Sequence, residues 1–259
     1  MAINRWSREQ LIVAFALYCQ TPFGKMHKSN PEILKTARLI GRTPSSLAMK
    51  LVNFASLDPA ITKTGRKGLG NASSEDRKVW DEFHSDWESL ALQSSKIAGA
   101  LSTDARAMES EQSEEEIVAL ESYEAGGKQA WVEVRTKQAF FRKAVISSYK
   151  ARCCMSGLDV PVLLIASHIV PWKVDRSNRL NPRNGLCLSA LHDRAFDKGL
   201  ITVTTDLRIK ISRALKKSGP GKFLTSSLVS LDGKDLLLPE KFFPNPDFLA
   251  YHVKNIFKG

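Results

Sequence analysis

Three short runs in the second half of the chain hold residue types that can move a proton or hold a cation. They are Ser167-His168-Ile169-Val170-Pro171-Trp172, Asn181-Pro182-Arg183-Asn184-Gly185 and His192-Asp193-Arg194-Ala195-Phe196-Asp197. An imidazole near its ordinary pKa accepts a proton at neutral pH, which suits His168 to general-base work. A carboxamide such as that of Asn184 can fix an imidazole or a loop, and so decide which ring nitrogen stays free. An imidazole projecting from a helix, as at His192, can bind a metal. Each residue also has a plain structural reading: a surface histidine at a strand end, a turn-forming asparagine before glycine, a half-buried histidine beside Leu191. Their order and spacing favour a site.

The surrounding pattern suggests how these residues are positioned. A helix over Phe140 to Tyr149 leads into a β-rich run, Val160 to Ile169, that reads as a short hairpin. Pro171 ends the ladder because it has no N–H, which leaves His168 at a strand end. A loop bearing Lys173, Arg176, Arg179 and Arg183 closes at the dense turn signal Asn181 to Gly185. A helix through Leu188, Leu191, His192, Ala195 and Phe196 stops at Lys198-Gly199, and Leu200 to Thr204 forms a strand. The expected order is strand, strand, loop, helix, strand.

From about residue 140 to 205 the chain resembles the HNH endonuclease family, in the branch found in bacterial restriction-like proteins. The Ser-His-Ile-x-Pro-Trp, Asn-Pro-x-Asn-Gly-Leu and His-Asp-x-Ala-Phe-Asp-x-Gly runs carry the resemblance. It implies a ββα-metal fold around one divalent cation, Mg2+ or Mn2+ ahead of Zn2+ or Ni2+, and hydrolysis of a phosphodiester in DNA. The catalytic set so implied is His168 as general base, Asn184 as its orienting residue and His192 as the helical metal ligand.

This sequence departs from the family in two places. Many members carry Asp or His immediately before the general base, where this chain has Ser167, a poor ligand. Asp197 is therefore the candidate anionic ligand beside His192 and Ser167, ahead of Asp193, which points elsewhere on the helix. Other members are stapled by zinc on two Cys-x-x-Cys knuckles. The corresponding runs here, Cys154 to Gly157 and Cys187 to Ala190, each lack the second cysteine. No structural zinc is expected, and Cys154 and Cys187 read as buried apolar side chains.

Composition agrees with a polyanionic partner. The 259 residues carry a formal charge of +11, arranged as two basic blocks separated by an acidic stretch, residues 98 to 131. This suggests an α+β chain with a helical, helix-turn-helix-like domain over 1–97, an acidic linker over 98–131, and the HNH domain with a C-terminal hairpin and helix over 132–259. In the first block, Ser7 and Gln10 form a capping box, Asn30-Pro31 and Thr43-Pro44 start two helices, and the second of these should present Arg42 and Lys50 to DNA. Glu75 to Ile97 reads as one amphipathic helix. In the tail, Lys210 joins Lys173, Arg176, Arg179 and Arg183 as a candidate phosphate contact, Leu228 to Leu238 reads as a hairpin, and a last helix starts near Pro246. No apolar run is long enough to span a bilayer and no signal peptide is evident, so a cytoplasmic protein is expected. The four cysteines are too few for a disulfide framework. DNA is the expected partner, with a homodimer where both strands are cut. The competing reading is a non-catalytic DNA-binding protein on a degenerate HNH scaffold.

Overall fold

The computed structural model describes residues 5–63, 65, 70–102, 128–217 and 221–259. Most of the expected acidic linker lies outside the described residues. The N-terminal block is helical. Helix α1, Arg8–Gln20, begins at the Ser7/Gln10 capping box and buries Leu11 to Ala16, Tyr18 and Cys19, so its apolar surface runs nearly all round. A helix of that kind belongs at the centre of a bundle. Helices α2 (Pro31–Leu39), α3 (Pro44–Ala55), α4 (Pro59–Thr62), α5 (Ser74–Ser85) and α6 (Trp87–Leu101) follow. The first three start on Asn30, Thr43 and Asp58 caps with proline at the next position, where a missing N–H costs nothing.

Two expectations for this block are corrected. The single helix through Glu75 to Ile97 is two, because Asp86 leaves helical geometry at φ −143° and ψ 76° and turns its carboxylate to cap the backbone N–H of Ser89 at 2.9 Å. Lys50 does not face outward on α3. It is buried, with Nζ 2.8 and 2.9 Å from the Asp76 carboxylate oxygens in the first turn of α5. Arg42 is also engaged, over the Trp6 ring at 4.7 Å and donating to Gln10 Oε1 and the Arg5 carbonyl. Both cations thus have partners within the bundle.

Helix α7, Lys128–Ser148, packs against α1 and α6 and then against strand β1, Leu164–His168. β1 pairs antiparallel with β2, Gly185–Ser189, with Leu164 opposite Ser189 and His168 opposite Gly185. Helix α8, Ala190–Asp197, follows β2 directly, and β3 (Ile201–Val203) pairs with β4 (Ile209–Ile211). With helices beside two small antiparallel sheets, the architecture is α+β. The expected hairpin within 160–169 is corrected: Pro161–Leu163 is a 3-10 turn, and the partner of β1 lies across the loop from 169 to 184. Leu188 is accordingly strand, not helix. Every residue of β2 is buried, so the strand has no alternation to reveal it.

In the tail, α9 (Arg213–Lys217) and α10 (Lys222–Ser227) precede a 3-10 turn at Val229–Leu231. The expected Leu228 to Leu238 hairpin is corrected as well. Residues 233–236 run beside β4, with Ile209 N donating to Lys234 O and Leu236 N to Leu207 O, both at 2.8 Å. The last helix, α11, is Pro246–Asn255. All four cysteines are free and buried, and among the described residues no helix is long and apolar enough to cross a membrane.

One buried cation joins the two basic blocks. Lys241, fully buried, donates from Nζ to the carbonyls of Tyr18, Cys19 and Thr21 (3.2 Å for Cys19 and 2.7 Å for Thr21), capping the end of α1 from 220 or more residues away. Beside it, Phe242 meets Tyr18 and Trp87 edge-on, and Ser147 Oγ donates to Cys19 O at 3.0 Å. Lys241→Met keeps most of the volume and removes the donor from three carbonyls. We expect a loss of roughly 1–3 kcal/mol, read as a lower urea midpoint at unchanged slope; an unchanged midpoint would mean that the amine contributes no net stability.

Candidate functional site

His168 ends β1 and is half-buried. Its ring stacks on Phe141 of α7, centroids 4.0 Å apart and planes 7° from parallel, and Trp172 meets it edge-on at 5.5 Å. The close approach of α7 depends on Gly185 opposite: a Cβ there would overlap the Val145 side chain and press on the Phe141 ring. His168 Nε2 lies 2.9 Å from the carbonyl oxygen of Arg179. A carbonyl only accepts, so Nε2 carries the proton and Nδ1 keeps a lone pair. Burial, helped by the nearby Arg179 guanidinium, lowers the imidazole to about 4 against the partial opposition of that carbonyl. The ordinary pKa expected for His168 is thus corrected downward.

The carbonyl partner is in place because the loop from 169 to 184 is bonded to itself. Asn184, fully buried, accepts from Val170 N at 2.8 Å and donates from Nδ2 to the carbonyls of Val170 (3.1 Å) and Asn178 (3.2 Å). Ile169 N donates to Asn184 O, closing the base of the loop at 2.9 Å. Asp175 accepts from the backbone of Ser177 and Asn178, and Arg179 Nε donates to Trp172 O at 2.8 Å while its guanidinium lies over the Trp172 ring. Asn184 touches the loop rather than the imidazole, the second of the two roles open to it.

Next to His168, Ser167 is buried, and its Oγ makes no hydrogen bond of ordinary geometry. It lies against the Asp193 carboxyl and favours the ionised form, although burial outweighs it and raises Asp193. Asp197 stands one helical turn further along α8. Burial first, and then the Asp193 charge, raise it to about 6. Asp193, placed behind Asp197 for its direction on the helix, shares a face of α8 with it at i and i+4, and the Asp193 carboxyl meets Ser167.

His192 is on another face. It is buried one turn before the buried Phe196, with Nδ1 2.7 Å from Ser189 Oγ and 3.4 Å from Cys153 Sγ, and Nε2 2.9 Å from Ser227 O. Both ring nitrogens have partners inside the protein. A metal at His192, the ligand expected on this helix, would have to displace one of these bonds. Among the described residues no group of three or more His, Cys, Asp or Glu is arranged to hold a metal. Ser167 and this face of α8 offer two carboxylates and a hydroxyl. That set fits a hard cation such as Mg2+ or Mn2+, which takes one or two carboxylates and leaves its other positions to water and phosphate.

The loop cations divide into two kinds. Lys173 and Arg176 are exposed. Arg179 holds the loop, and Arg183 donates from Nε to Phe243 O at 3.1 Å, tying the loop to the C-terminal segment. Lys210 is exposed on β4, over the Phe257 ring at 5.6 Å.

Residues 153–204, about a fifth of the chain, match the family described as HNH endonuclease. This segment contains β1, the loop, β2, α8 and β3, and with them His168, Asn184, Asp193 and Asp197. No curated protein matches the chain.

Asn184 offers a direct test of how the loop is held. Asn184→Asp keeps the acceptor for Val170 N but turns a second oxygen toward two carbonyls, and Asn184→Ala removes every bond. Each variant should lose roughly 1–3 kcal/mol and be cut by protease within 169–184 before it is cut elsewhere. Native-like resistance of that loop in both variants would contradict the role given to Asn184.

Proposed function

We propose that this chain is a divalent-metal-dependent DNA endonuclease that hydrolyses phosphodiester bonds, with His168 as general base and Asp193 and Asp197, beside Ser167, holding the cation. The observation that carries the reading is the fixed His168 ring. Its Nε2 is tied to the Arg179 carbonyl, and the residue before it lies against Asp193. Asp193 takes the part that the resemblance gives to His192.

The chemistry follows from the obstacles to the reaction. A phosphodiester repels an incoming nucleophile, so a site must deliver a deprotonated water and offset charge growing on the phosphate and the leaving oxygen. When bound, the cation supplies that charge and acidifies water. His168 Nδ1 is the acceptor for the water's proton. With a pKa near 4 it is unprotonated at any pH where the protein would work, and an anionic phosphate beside it raises its basicity. Asn184 and Arg179 hold the ring still while it acts. The Asp193 charge works against ionisation of Asp197, and a bound divalent cation held by these two carboxylates would offset that repulsion.

Exposed Lys173 and Arg176 are the loop's best-placed contacts for backbone phosphate. The Ser-His-Ile-x-Pro-Trp run supports a restriction or defence role in the cytoplasm, and cleavage of both strands would call for a homodimer. Digestion of modified and unmodified DNA, followed by sequencing of the ends, tests the restriction reading.

Plasmid nicking with Mg2+ or Mn2+, against a chelator control, tests the activity. His168→Ala should slow cleavage by about 10² to 10⁴-fold while leaving DNA binding intact. Asp193→Asn and Asp197→Asn should raise the metal concentration needed. His192→Gln, if folded, should keep metal-dependent cutting. The absence of divalent-dependent cleavage on any DNA form would sink the enzyme reading and leave a DNA-binding protein.

The pH dependence has a definite sign. Asp197 must lose its proton to hold a cation, so protons compete with metal as pH falls through about 6. At limiting Mn2+ the rate should drop by roughly tenfold per pH unit below that point, and saturating Mn2+ should move the limb to lower pH. A limb that ignores metal concentration would remove Asp197 from the ligand set.

A further inference from the structure

We infer that Cys153, Ser156, Ser189 and His192 form a metal-type knuckle that the native chain closes with hydrogen bonds in place of an ion. The four residues are two pairs of i, i+3 spacing, Cys153-Met155-flanked Ser156 and Ser189 to His192, the separation that lets two side chains of one turn grip the same ion. The first pair sits on a tight turn. Gly157 N donates to Cys153 O at 2.8 Å, Gly157 takes a φ of +76°, and the Met155 and Ser156 amides and the Ser156 hydroxyl favour the ionised Cys153 thiol. A turn that favours the thiolate is what a metal-bound sulfur needs. Burial pushes the Cys153 thiol up, but the bonds from His192, Ser156 and these amides outweigh it and bring it to about 6.

The second pair meets the first. His192 Nδ1 is 3.4 Å from Cys153 Sγ, close to the roughly 3.6 Å between sulfur and nitrogen on a tetrahedral Zn2+. Ser189 Oγ is 2.7 Å from the same nitrogen, and Nε2 is held by Ser227 O, the arrangement that leaves Nδ1 as the donor toward a metal. Two of the four positions carry hydroxyls, which are poor ligands for Zn2+ beside thiolate and imidazole. A thiol–imidazole bond stands where the ion would be, and it ties the turn before β1 to the start of α8. The knuckle frame is therefore Cys153 and Ser156 with Ser189 and His192. Cys154 and Cys187, the residues picked out by sequence, are buried thiols, Cys154 raised well above the usual thiol range and Cys187 raised to about 12.

Restoring the missing thiolates tests the inference independently of whether the chain cuts DNA. Ser156→Cys with Ser189→Cys should bind one equivalent of Co2+ under reducing conditions, with a thiolate charge-transfer band and the visible bands of tetrahedral cobalt, both lost on adding Zn2+. Cobalt held by Asp193 and Asp197 gives no thiolate band. Ser156→Cys alone keeps the Ser189 cap on α8 and should give the same bands more weakly, which covers a double variant that fails to fold. Adding Cys153→Ala should abolish them. Folded single and double variants that show no thiolate band would overturn the convergence of the four positions, and a thiolate band from the native protein with Co2+ would overturn its metal-free closure.

Discussion

A single buried carboxamide sets the geometry on which the site rests. Strands β1 and β2 are joined by sixteen residues, 169 to 184, too many for a hairpin turn to fix by itself. Asn184 bonds both the N–H and the C=O of Val170 and reaches Asn178, so the two ends of the loop are held by one rigid plane. Only with that closure does the Arg179 carbonyl arrive at His168, and only then is one imidazole nitrogen fixed as donor and the other as acceptor. The amide is buried and all its polar atoms are satisfied, which makes any looser arrangement costly.

Helix α8 divides its side chains between two tasks by simple periodicity. His192 and Phe196 face inward, where the imidazole joins Cys153 and the phenyl ring stacks on His252. Asp193 and Asp197, each one residue later, turn about 100° away toward Ser167 and solvent. Eight residues thus serve a thiol–imidazole contact on one face and a carboxylate pair on another, so a one-residue slip of the helix would destroy both.

The site was readable in part. The runs around His168 and Asn184, the caps at Ser7, Asn30 and Thr43, and the final helix at Pro246 all sit where local residue chemistry placed them. His192 is assigned to the metal by resemblance, and no local pattern shows that Cys153, Ser189 and Ser227 engage both of its ring nitrogens once the chain folds. Strand β2 was missed because it is buried on both faces. Lys50 and Arg42 illustrate a different limit. Their partners Asp76, Trp6 and Gln10 are brought near by folding, and no local pattern distinguishes a buried, paired cation from a solvated one.

Lys241 carries a consequence for how the molecule is made. The carbonyls at the end of α1 receive their capping ammonium from a residue synthesised some 220 positions later, and Phe242 completes the aromatic cluster around Tyr18 and Trp87 at the same moment. The first helix leaves the ribosome long before its cap exists. The cap on α1 and the aromatic cluster of the N-terminal bundle are therefore complete only after residues 153–204 have emerged.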